Sequence, residues 1–352
     1  MIDLLDATAE LVDIASVSLG EAVFADHLEA AYLAIDGLTV DRVGDNVVAR
    51  TMLGRATRLL LVGHSDTVPP NGNDRARIEG DTLWGVGAAD MKGALAVMLA
   101  LAGDITEPTV DVTHVIYCAE EIAAEHNGLA QLYRDAPELL AGDVAIVGEP
   151  TDATVEAGCQ GTIRVEVAFA GVAAHSARPW MGSNAIHRMA PALAILDAYE
   201  ERRPQLGGCA FREAMQAVGV VGGVAGNVVP DSAVLTVNHR FAPDRSIDEA
   251  LAHVEATLAP ALGPDDTLTL VDGAPAAAPA TDHPLVAAMV EREGLEVRAK
   301  LGWTDVARLA SHGVPAVNFG PGDSRVAHHR DEHVTRSQLD RCAGVLRGVL
   351  TH

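Results

Sequence analysis

The stretch VDVTHVIYCAEE (residues 110–121) runs from a largely apolar segment into two adjacent carboxylates, Glu120 and Glu121. An apolar run of this length that is rich in β-branched residues predicts a buried strand, which the pair follows where the chain should leave the sheet. Ionised neighbours repel each other and are costly to bury, so a fold needs a reason to place both at the rim of its core. A bound divalent cation is the commonest reason, and the stretch therefore predicts a metal site at this strand end.

Further candidate metal ligands lie at the ends of other predicted elements. They are His64 and Asp66 after the apolar run 58–63, Asp90 before the helix-like stretch 91–102, Glu149 after the run 143–148, and His328 within residues 327–333. In open parallel sheets, ligands bind beyond the carboxyl ends of the strands. His64, the Glu120–Glu121 pair and Glu149 therefore converge on one edge if their three strands are parallel neighbours.

The composition is that of an ordinary soluble enzyme. The chain has 352 residues, 49% of them hydrophobic and 21% charged, which is enough for two domains and a sizeable core. A formal net charge of −24 argues against nucleic acid or an anionic membrane as a partner. No apolar run approaches the ~20 residues of a membrane span.

Cysteine usage and the N-terminus predict a cytoplasmic protein. The four cysteines are widely spaced and form no CxxC pair, which is typical of reduced thiols. The first residues lack the basic and apolar regions of a secretion signal.

The pattern of apolar residues predicts two domains of different class. Residues 1–161 and 275–352 alternate apolar strand-like runs with helix-like runs, which indicates an α/β domain with a mostly parallel central sheet. Residues 162–274 contain strand-like runs that alternate polar and apolar side chains, with helix-like runs between them. This period of two indicates an inserted α+β domain with an antiparallel sheet that is wet on one face.

The ligand types point to hydrolysis. Four carboxylates and two histidines suit two divalent ions that share one carboxylate, at the ~3.5–4 Å separation of two-metal hydrolases. Imidazole and carboxylate ligands without cysteine fit catalytic zinc, and cobalt or manganese is also chemically suitable. Of Glu120 and Glu121, one should bind metal and the other should act as base, because adjacent strand residues point in opposite directions. The reaction would be hydrolysis of an amide or an ester.

Each of these features has a simpler interpretation when it is taken alone. His-x-Asp tripeptides seldom bind metal, Glu-Glu is usually a solvated pair, and His328-His329 near a C-terminus is often surface. The joint pattern is more specific, because each element follows a predicted strand or opens a predicted helix.

In order along the chain, the motifs resemble those of the dinuclear zinc amidohydrolases, which include aminoacylases and glutamate carboxypeptidases. The matching segments are GHSDTVP (63–69), GVGAADMKG (85–93), Glu120-Glu121, GEP (148–150) and His328. The resemblance implies a zinc-peptidase-like catalytic domain with two Zn²⁺ per subunit, Co²⁺ being an alternative in one site. It implies that His64 and Glu149 bind one zinc, that Glu121 and His328 bind the other, and that Asp90 bridges. It also implies that Glu120 is the general base and that Asp66 orients His64.

His329 is an alternative to His328. The family pattern His-x-x-Asp/Asn-Glu-x-Val fits the segment that begins at His328 (328–334), so the resemblance selects His328.

The inserted domain resembles the dimerisation, or lid, domain of the same family. The matching segments are AHSARP (174–179), GSNAIH (182–187), GNVVP (226–230) and NHR (238–240). The resemblance implies a homodimer in which His175 reaches the partner subunit's site and stabilises an oxyanion. Asn227 and Arg240 would contact substrate, and so would Arg178, which is equally consistent with a surface arginine.

Within the family, several stretches resemble the succinyl-diaminopimelate desuccinylases most closely. They are EAGCQGT (156–162), GGVAGNV (222–228), NHRFAPDRS (238–246), GWTD (302–305) and NFGPGD (318–323). This resemblance implies cleavage of N-succinyl-LL-2,6-diaminopimelate to succinate and LL-2,6-diaminopimelate, a step toward lysine, with Gly302 and Thr304 near the substrate. An N-acetylornithine deacetylase, another N-acyl-amino-acid deacylase and a dipeptidase are alternatives with the same ligands. A metal-binding relic without turnover is the alternative that is not an enzyme.

Overall fold

A computed structural model describes residues 2–352, which form two compact units. The first unit contains the residues up to Ala157, then Pro279–Arg298 and Arg308–His352. The second contains Gly158–Ala278 and Ala299–Ala307. The short segment Ala299–Ala307, which was expected in the catalytic domain, belongs to the second unit.

The chain alternates strands and helices through most of its length. The strands are β1 (Leu38–Val43), β2 (Asn46–Thr51), β3 (Arg58–His64), β4 (Arg77–Glu79), β5 (Thr82–Trp84), β6 (Asp111–Tyr117), β7 (Val144–Val147), β8 (Val155–Ala157), β9 (Gly161–Ala170), β10 (Ala174–His175), β11 (Gln205–Leu206), β12 (Cys209–Ala210), β13 (Ala214–Gly222), β14 (Val228–Val229), β15 (Ser232–Phe241), β16 (Thr267–Ala274), β17 (Val297–Ala299), β18 (Ala316–Asn318) and β19 (His333–Thr335). The α-helices are α1 (Leu4–Val12), α2 (Ala22–Leu33), α3 (Gly93–Asp104), α4 (Gly128–Asp135), α5 (Ala185–Arg188), α6 (Ala190–Asp197), α7 (Ile247–Leu258), α8 (Pro284–Glu293), α9 (Val306–Ser311) and α10 (Arg336–Thr351).

The first unit is built on an eight-stranded mixed sheet. Its strand order is β1-β2-β6-β3-β7-β18-β8-β17. Four neighbouring strands, in the order β6, β3, β7 and β18, run parallel to one another. At the two sides of this group, β2 runs antiparallel to β6 and β8 runs antiparallel to β18. The prediction that the strands before His64, Glu120 and Glu149 are parallel neighbours is confirmed, because β3 lies between β6 and β7.

The parallel strands form the core of the first unit. Every residue of β6 and β7 is buried, and so is every residue of β3 except Arg58. A strand that is buried at successive positions is covered on both faces of its sheet, which agrees with the continuous apolar runs in these segments. Helices α1, α3 and α10 pack against one another beside this sheet. The α/β fold with a largely parallel central sheet is therefore confirmed for this unit.

Two glycines allow the segment that carries Asp90 to approach the sheet closely. A Cβ atom on Gly63 would lie 2.5 Å from Cε of Met91, and a Cβ atom on Gly148 would lie 2.7 Å from the same atom. Both glycines stand at the carboxyl ends of neighbouring strands, next to the start of α3. Their missing side chains let Met91 pack against the strand ends, which brings Asp90 to the same edge as His64.

The second unit is an antiparallel α+β structure, as its sequence pattern predicts. Its four-stranded sheet has the order β13-β15-β9-β16, with every neighbouring pair antiparallel. Side chains of β9 and β15 alternate between buried and more exposed positions. The buried ones pack with residues of α5, α6 and α7 into one apolar core. Arg164, Asn238 and Arg240 lie among the residues of the other face.

Within residues 2–352, none of the helices combines the length and apolar character that crossing a membrane requires.

Candidate metal centre

Three strand ends bring candidate ligands to one edge of the first unit. Strand β3 ends at His64, β6 ends shortly before Glu120 and Glu121, and β7 ends two residues before Glu149. The three strands are parallel neighbours, so these residues emerge at the same edge. Glu149 is buried there.

Asp90 lies between two histidines. Its Oδ1 atom is 3.1 Å from Nε2 of His64, and its Oδ2 atom is 3.5 Å from Nε2 of His328. Nε2 of His328 is also 2.7 Å from Oε1 of Glu121. One carboxylate thus faces a different histidine with each oxygen, which is the arrangement expected of a group shared by two ions.

The donor atoms of this cluster fit a divalent metal ion. His64, Asp90 and Glu121 each offer a ligand atom within 4.8 Å of the others. Imidazole nitrogen and carboxylate oxygen are the donors that catalytic zinc sites use. The sequence-predicted residues His64, Asp90, Glu121 and His328 are therefore brought together by the fold.

The electrostatics of the cluster favour a bound cation. Hydrogen bonds to Asp90 and Glu121 raise the pKa of His328 to about 10. Burial alone would lower the pKa of His64, but the hydrogen bonds and charges of Asp66 and Asp90 outweigh it and hold that pKa well above its ordinary value. Burial opposes ionisation of Asp90, yet both histidines hold the pKa of Asp90 well below its usual range. Negative charge is thus concentrated where a metal ion would compensate it.

Asp66 holds both Glu120 and Glu121 through their backbone. Its Oδ1 atom accepts a hydrogen bond from the N–H of Glu120 (2.9 Å), and its Oδ2 atom accepts from the N–H of Glu121 (3.1 Å) and the hydroxyl of Ser18 (2.7 Å). Asp66 is fully buried; that burial raises its pKa, but hydrogen bonds from His64 and these donors bring it down to about 2. The carboxylate thus remains ionised and fixes the segment that carries the glutamate pair.

The contact between Asp66 and His64 runs mainly through the backbone. Nδ1 of His64 lies 3.1 Å from the carbonyl oxygen of Asp66 and 3.5 Å from its Oδ1 atom. If the ring donates from Nδ1 to that carbonyl, Nε2 keeps its lone pair toward Asp90 and is available to a metal.

Glu120 and Glu121 lie in a loop, not on the strand. Strand β6 ends at Tyr117, and Ala119 adopts a left-handed conformation with φ of 56°. The alternation of side chains along a strand therefore does not set the directions of Glu120 and Glu121. Hydrogen bonds from Ala119 to Glu21 and from the pair to Asp66 direct the loop instead.

Of the adjacent histidines His328 and His329, it is His328 whose ring contacts the carboxylates of Glu121 and Asp90. It has a left-handed backbone with φ of 65°, and its ring reaches Glu121 and Asp90. The neighbouring His329 accepts a hydrogen bond from the side chain of Asn73 through its backbone carbonyl.

Glu332 is a buried carboxylate at this site to which the sequence analysis assigned no role. Its Oε1 atom accepts hydrogen bonds from the N–H groups of Ala89 and Asp90, both at 3.0 Å. Burial raises its pKa to about 7. The signal that could have indicated it is its place in the pattern His-x-x-Asp-Glu that begins at His328.

The remaining predicted residues lie in the second unit. Strand β10 pairs with β14, which places His175 opposite Val228, and the N–H of Ser176 donates to the carbonyl of Asn227 (2.9 Å). His175 and Asn227 are thus neighbours, and the N–H of Arg178 donates to the carbonyl of His175 (2.7 Å).

Arg240, Gly302 and Thr304 occupy two other places in this unit. Arg240 is half-buried on β15, next to Arg164, and none of the described residues forms a hydrogen bond or ion pair with its guanidinium. Gly302 and Thr304 belong to the segment Ala299–Ala307, where the N–H of Ala307 donates to the carbonyl of Thr304 (3.0 Å).

Comparison with curated proteins gives close relatives over nearly the whole chain. A Corynebacterium glutamicum protein named succinyl-diaminopimelate desuccinylase is 42% identical, covering 98% of this chain and 95% of the relative. A Mycobacterium tuberculosis protein provisionally named for the same activity is 49% identical, covering 99% of this chain and 98% of the relative.

Solved structures with the same fold are more distant in sequence. A Staphylococcus aureus tripeptidase superposes with a TM-score of 0.80 at 22% identity, covering 99% of this chain and 97% of the other. A Bacillus subtilis protein described as a dinuclear metal binding peptidase from the M20 family gives 0.72 at 15% identity, covering 98% and 96%. At these identities the likeness establishes the fold.

The family model described as peptidase family M20/M25/M40 matches residues 60–352, most of the chain and every proposed metal ligand. The ligand cluster at the edge of the sheet and the relatives agree with this match. The chain therefore belongs to peptidase family M20/M25/M40, a family of metal-dependent hydrolases.

Proposed function

We propose that this protein is a succinyl-diaminopimelate desuccinylase. It hydrolyses the amide of N-succinyl-LL-2,6-diaminopimelate to succinate and LL-2,6-diaminopimelate, a step in diaminopimelate and lysine biosynthesis. The observation that carries the proposal is the 42–49% identity, over nearly the full length, to relatives named for this activity. The solved tripeptidase and dinuclear peptidase structures share the fold but do not favour a peptide substrate, because their identities are 22% and 15%.

We propose that each subunit holds two Zn²⁺ ions, with Co²⁺ as an alternative in one site. His64 and Glu149 would hold one ion, Glu121 and His328 the other, and Asp90 both; the two contacts of Asp90 with different histidines support its shared role. Bound divalent ions would polarise the amide carbonyl and lower the pKa of the attacking water.

Glu120 is the proposed general base. It is adjacent to the ligand Glu121, and its backbone is fixed by the ionised Asp66 at 2.9 Å. A carboxylate held beside the ligands and not used in coordination can accept a proton from water and deliver it to the leaving amine. The hydrogen bonds that the N–H groups of Glu120 and Glu121 donate to Asp66 hold the backbone that carries this carboxylate during both transfers.

Substrate carboxylates need cationic and amide donors, which the second unit offers. Arg240 is half-buried, while its neighbour Arg164 is paired with Asp272 at 3.1 Å. Arg240 is therefore available for a bidentate contact with a carboxylate. We propose that Asn227, Arg178, Gly302 and Thr304 also contact the substrate, and that His175 stabilises the oxyanion in the partner subunit's site.

A substrate panel tests the proposed activity. Zinc-loaded protein is assayed with N-succinyl-LL-2,6-diaminopimelate, N-acetylornithine, other N-acyl amino acids and dipeptides. We expect the highest kcat/KM on the succinyl substrate, with activity lost on chelation and restored by zinc. A higher kcat/KM on any other substrate would assign the protein to a different deacylase or dipeptidase. No turnover of any substrate by metal-loaded protein would indicate a binding relic.

Exchange of Glu120 for glutamine tests its role as base. We expect Glu120→Gln to keep the metal content of the wild type while kcat falls by a factor of ~10² or more, because the amide cannot accept the proton. Glu125→Gln, an exposed residue of the same loop, is the matched control. Retained turnover in Glu120→Gln would refute the assignment.

We propose that the protein is a homodimer formed through strand β13. This strand is an edge of its sheet, and Val218, Val220 and Val221 on it are 59%, 54% and 72% exposed. An apolar edge strand is a template for pairing with another chain, and a second copy presents the same edge.

We expect Val220→Lys to shift the mass measured by light scattering from dimer to monomer. Val271→Lys on β16, at the other edge of the sheet, should leave the mass unchanged. A wild-type protein that is monomeric at micromolar concentration would contradict the proposal.

We propose the cytoplasm as the place of action. The four cysteines are free thiols in the structure, and amino-acid precursors are made where thiols remain reduced. The substrate and product of the proposed reaction are themselves small polar biosynthetic intermediates.

A further inference from the structure

Glu332 is a buried carboxylate whose side chain is directed at the backbone of a proposed metal ligand. Only 1% of the residue is exposed. Its Oε1 atom accepts from two successive N–H groups, those of Ala89 and Asp90, at 3.0 Å each. Two hydrogen bonds to one ionisable oxygen fix the position and direction of the peptide that leads into Asp90.

The backbone of Glu332 is attached to the same turn. The N–H of Gly85 donates to the carbonyl of Glu332 (3.1 Å), and the following strand β19 pairs antiparallel with β5, which leads into the turn. The N–H of Glu332 donates to the carbonyl of His329 (3.1 Å), next to His328. Glu332 therefore connects the segment that carries His328 with the turn that carries Asp90.

Lys92 stabilises the other side of this turn. It is buried, its Nζ atom donates to the carbonyls of Leu11 (3.1 Å) and Ile14 (2.6 Å), and it lies 4.4 Å from the ring centre of Phe24. Burial lowers the pKa of Lys92 to about 7, against the opposing effect of the nearby carboxylates of Glu332 and Asp13. The turn is thus anchored by the Lys92 amino group toward α1 and by the Glu332 side chain toward the His328 segment.

We propose that Glu332 is a positioning residue that sets the distance between Asp90 and His328 and thereby the affinity of the site for its metal ions. Nε2 of His328 lies 3.5 Å from Oδ2 of Asp90 although the two residues belong to segments far apart in the chain. Glu332 makes polar contacts with the segments of both residues, so its carboxylate determines whether the two ligands face each other. The proposal rests on the proposed metal site and does not depend on which amide the enzyme cleaves.

A buried carboxylate could also serve stability alone, and a matched residue separates the two roles. Asp111 is buried in the same unit at the opposite end of β6, and it accepts from the N–H groups of Leu53 and Arg55, both at 2.8 Å. It has the same kind of backbone contacts as Glu332 but lies at the end of the strand away from the ligands. Exchange of Asp111 therefore measures the loss of such contacts without a change in ligand position.

The test measures metal affinity without substrate. Metal-free wild type, Glu332→Ala, Glu332→Gln and Asp111→Ala are titrated with Zn²⁺ against a chromogenic chelator, and the unfolding midpoint of each metal-free protein is recorded. We expect the affinity of Glu332→Ala to fall about 10- to 100-fold, as is usual when a partner of metal ligands is removed. Glu332→Gln should recover most of it, because the amide oxygen can still accept both N–H groups. Asp111→Ala should lower the unfolding midpoint but keep the affinity of the wild type.

Two results would overturn the proposal. One is a Glu332→Ala protein that binds zinc with the affinity of the wild type, and the other is an equal loss of affinity in Asp111→Ala. If Glu332→Ala does not yield folded protein, Glu332→Asp replaces it, because its shortened side chain cannot reach both N–H groups, and the same criteria apply. The absorption spectrum of the Co²⁺-loaded proteins gives a second readout, since a shifted Asp90 changes the coordination geometry in Glu332→Ala but not in Asp111→Ala. Failure of the substrate panel would leave these affinities unaffected, so the two proposals are tested separately.

Discussion

Replacement of Asp66 by asparagine tests whether the loop of Glu120 and Glu121 is held by a charge. The Asp66 carboxylate accepts from two backbone N–H groups, at 2.9 and 3.1 Å, and from the hydroxyl of Ser18 at 2.7 Å. Asparagine has a similar shape but one oxygen acceptor, and its NH₂ group must face one of the two N–H groups. Asp66→Asn thus leaves one buried donor without a partner.

The structure sets the size of the effect. The pKa of Asp66 is lowered from 3.8 to about 2, despite a burial that would raise it, by His64 and the hydrogen-bond donors. At ~1.4 kcal/mol per unit, the ionised form stabilises the fold by about 2 kcal/mol relative to a neutral one. An unpaired buried donor costs about 1–3 kcal/mol, which is the same range. We therefore expect the unfolding free energy of the metal-free protein to fall by about 2–3 kcal/mol.

The catalytic effect should be larger than this loss of stability alone explains. Because the loop carries both a proposed ligand and the proposed base, we expect kcat/KM to fall about 10- to 100-fold at saturating zinc. Asp111→Asn is the matched control, since Asp111 also accepts from two N–H groups and one hydroxyl, that of Thr51 at 2.9 Å. Urea unfolding and steady-state kinetics are measured on both variants. If Asp66→Asn loses stability but keeps the kcat/KM of Asp111→Asn, the loop does not depend on Asp66 for catalysis.

Three further outcomes follow from the structure. Burial lowers the pKa of His114 to about 4, so this residue stays neutral in the folded chain, whereas the unfolded chain protonates it below pH 6.5. Stability is therefore lost as the pH falls from 6.5 to about 4. Between pH 7.5 and 4, the free energy of unfolding in urea should fall by about 3 kcal/mol more for the metal-free wild type than for His114→Phe. Gly148→Ala places a Cβ 2.7 Å from Cβ of Ala94 and should lower the free energy of unfolding in urea by about 1–3 kcal/mol. Its control is Gly103→Ala in α3, where an added Cβ meets no atom within 4 Å and should stabilise the protein slightly. Arg240→Met should lower kcat/KM on the succinyl substrate about 10- to 100-fold if its guanidinium pairs with a carboxylate, and equal losses in Arg164→Met would argue for a general effect of charge.

The arrangement of the parallel strands was predictable because the sequence carries it locally. Each of β3, β6 and β7 is an apolar run with candidate ligands at its carboxyl end, and adjacent parallel strands bring such ends together. The inserted unit was recognisable for the same reason, since β9 and β15 alternate in burial as their sequences alternate in polarity. Local patterns of this kind require no knowledge of distant contacts.

The details that escaped sequence reasoning depend on contacts between distant segments. The glutamate pair was expected just after the strand, with side chains that alternate as on a strand. Instead Ala119 turns the chain, and Glu21, far earlier in the sequence, accepts its N–H at 2.9 Å. Asp66 was expected to orient His64, and its bonds to the backbone of Glu120 and Glu121 could not be read from a pattern of side chains. The contact of Glu332 with Asp90 spans 242 positions in the sequence, so the motif that begins at His328 could mark the residue but could not reveal its partner.

The position of β18 has a consequence for the order in which the protein is completed on the ribosome. In the sheet, β18 lies between β7 and β8, although these two strands are made before the inserted unit and β18 after it. At ~5–20 residues per second, a nascent chain holds β7 and β8 without the strand between them for on the order of ten seconds. During that interval β7 has an open edge that invites pairing with other chains. His328 is synthesised later still, so the proposed ligands are all present only after every strand of this sheet has left the ribosome's catalytic centre, and the proposed metal site cannot form before β18 has been made.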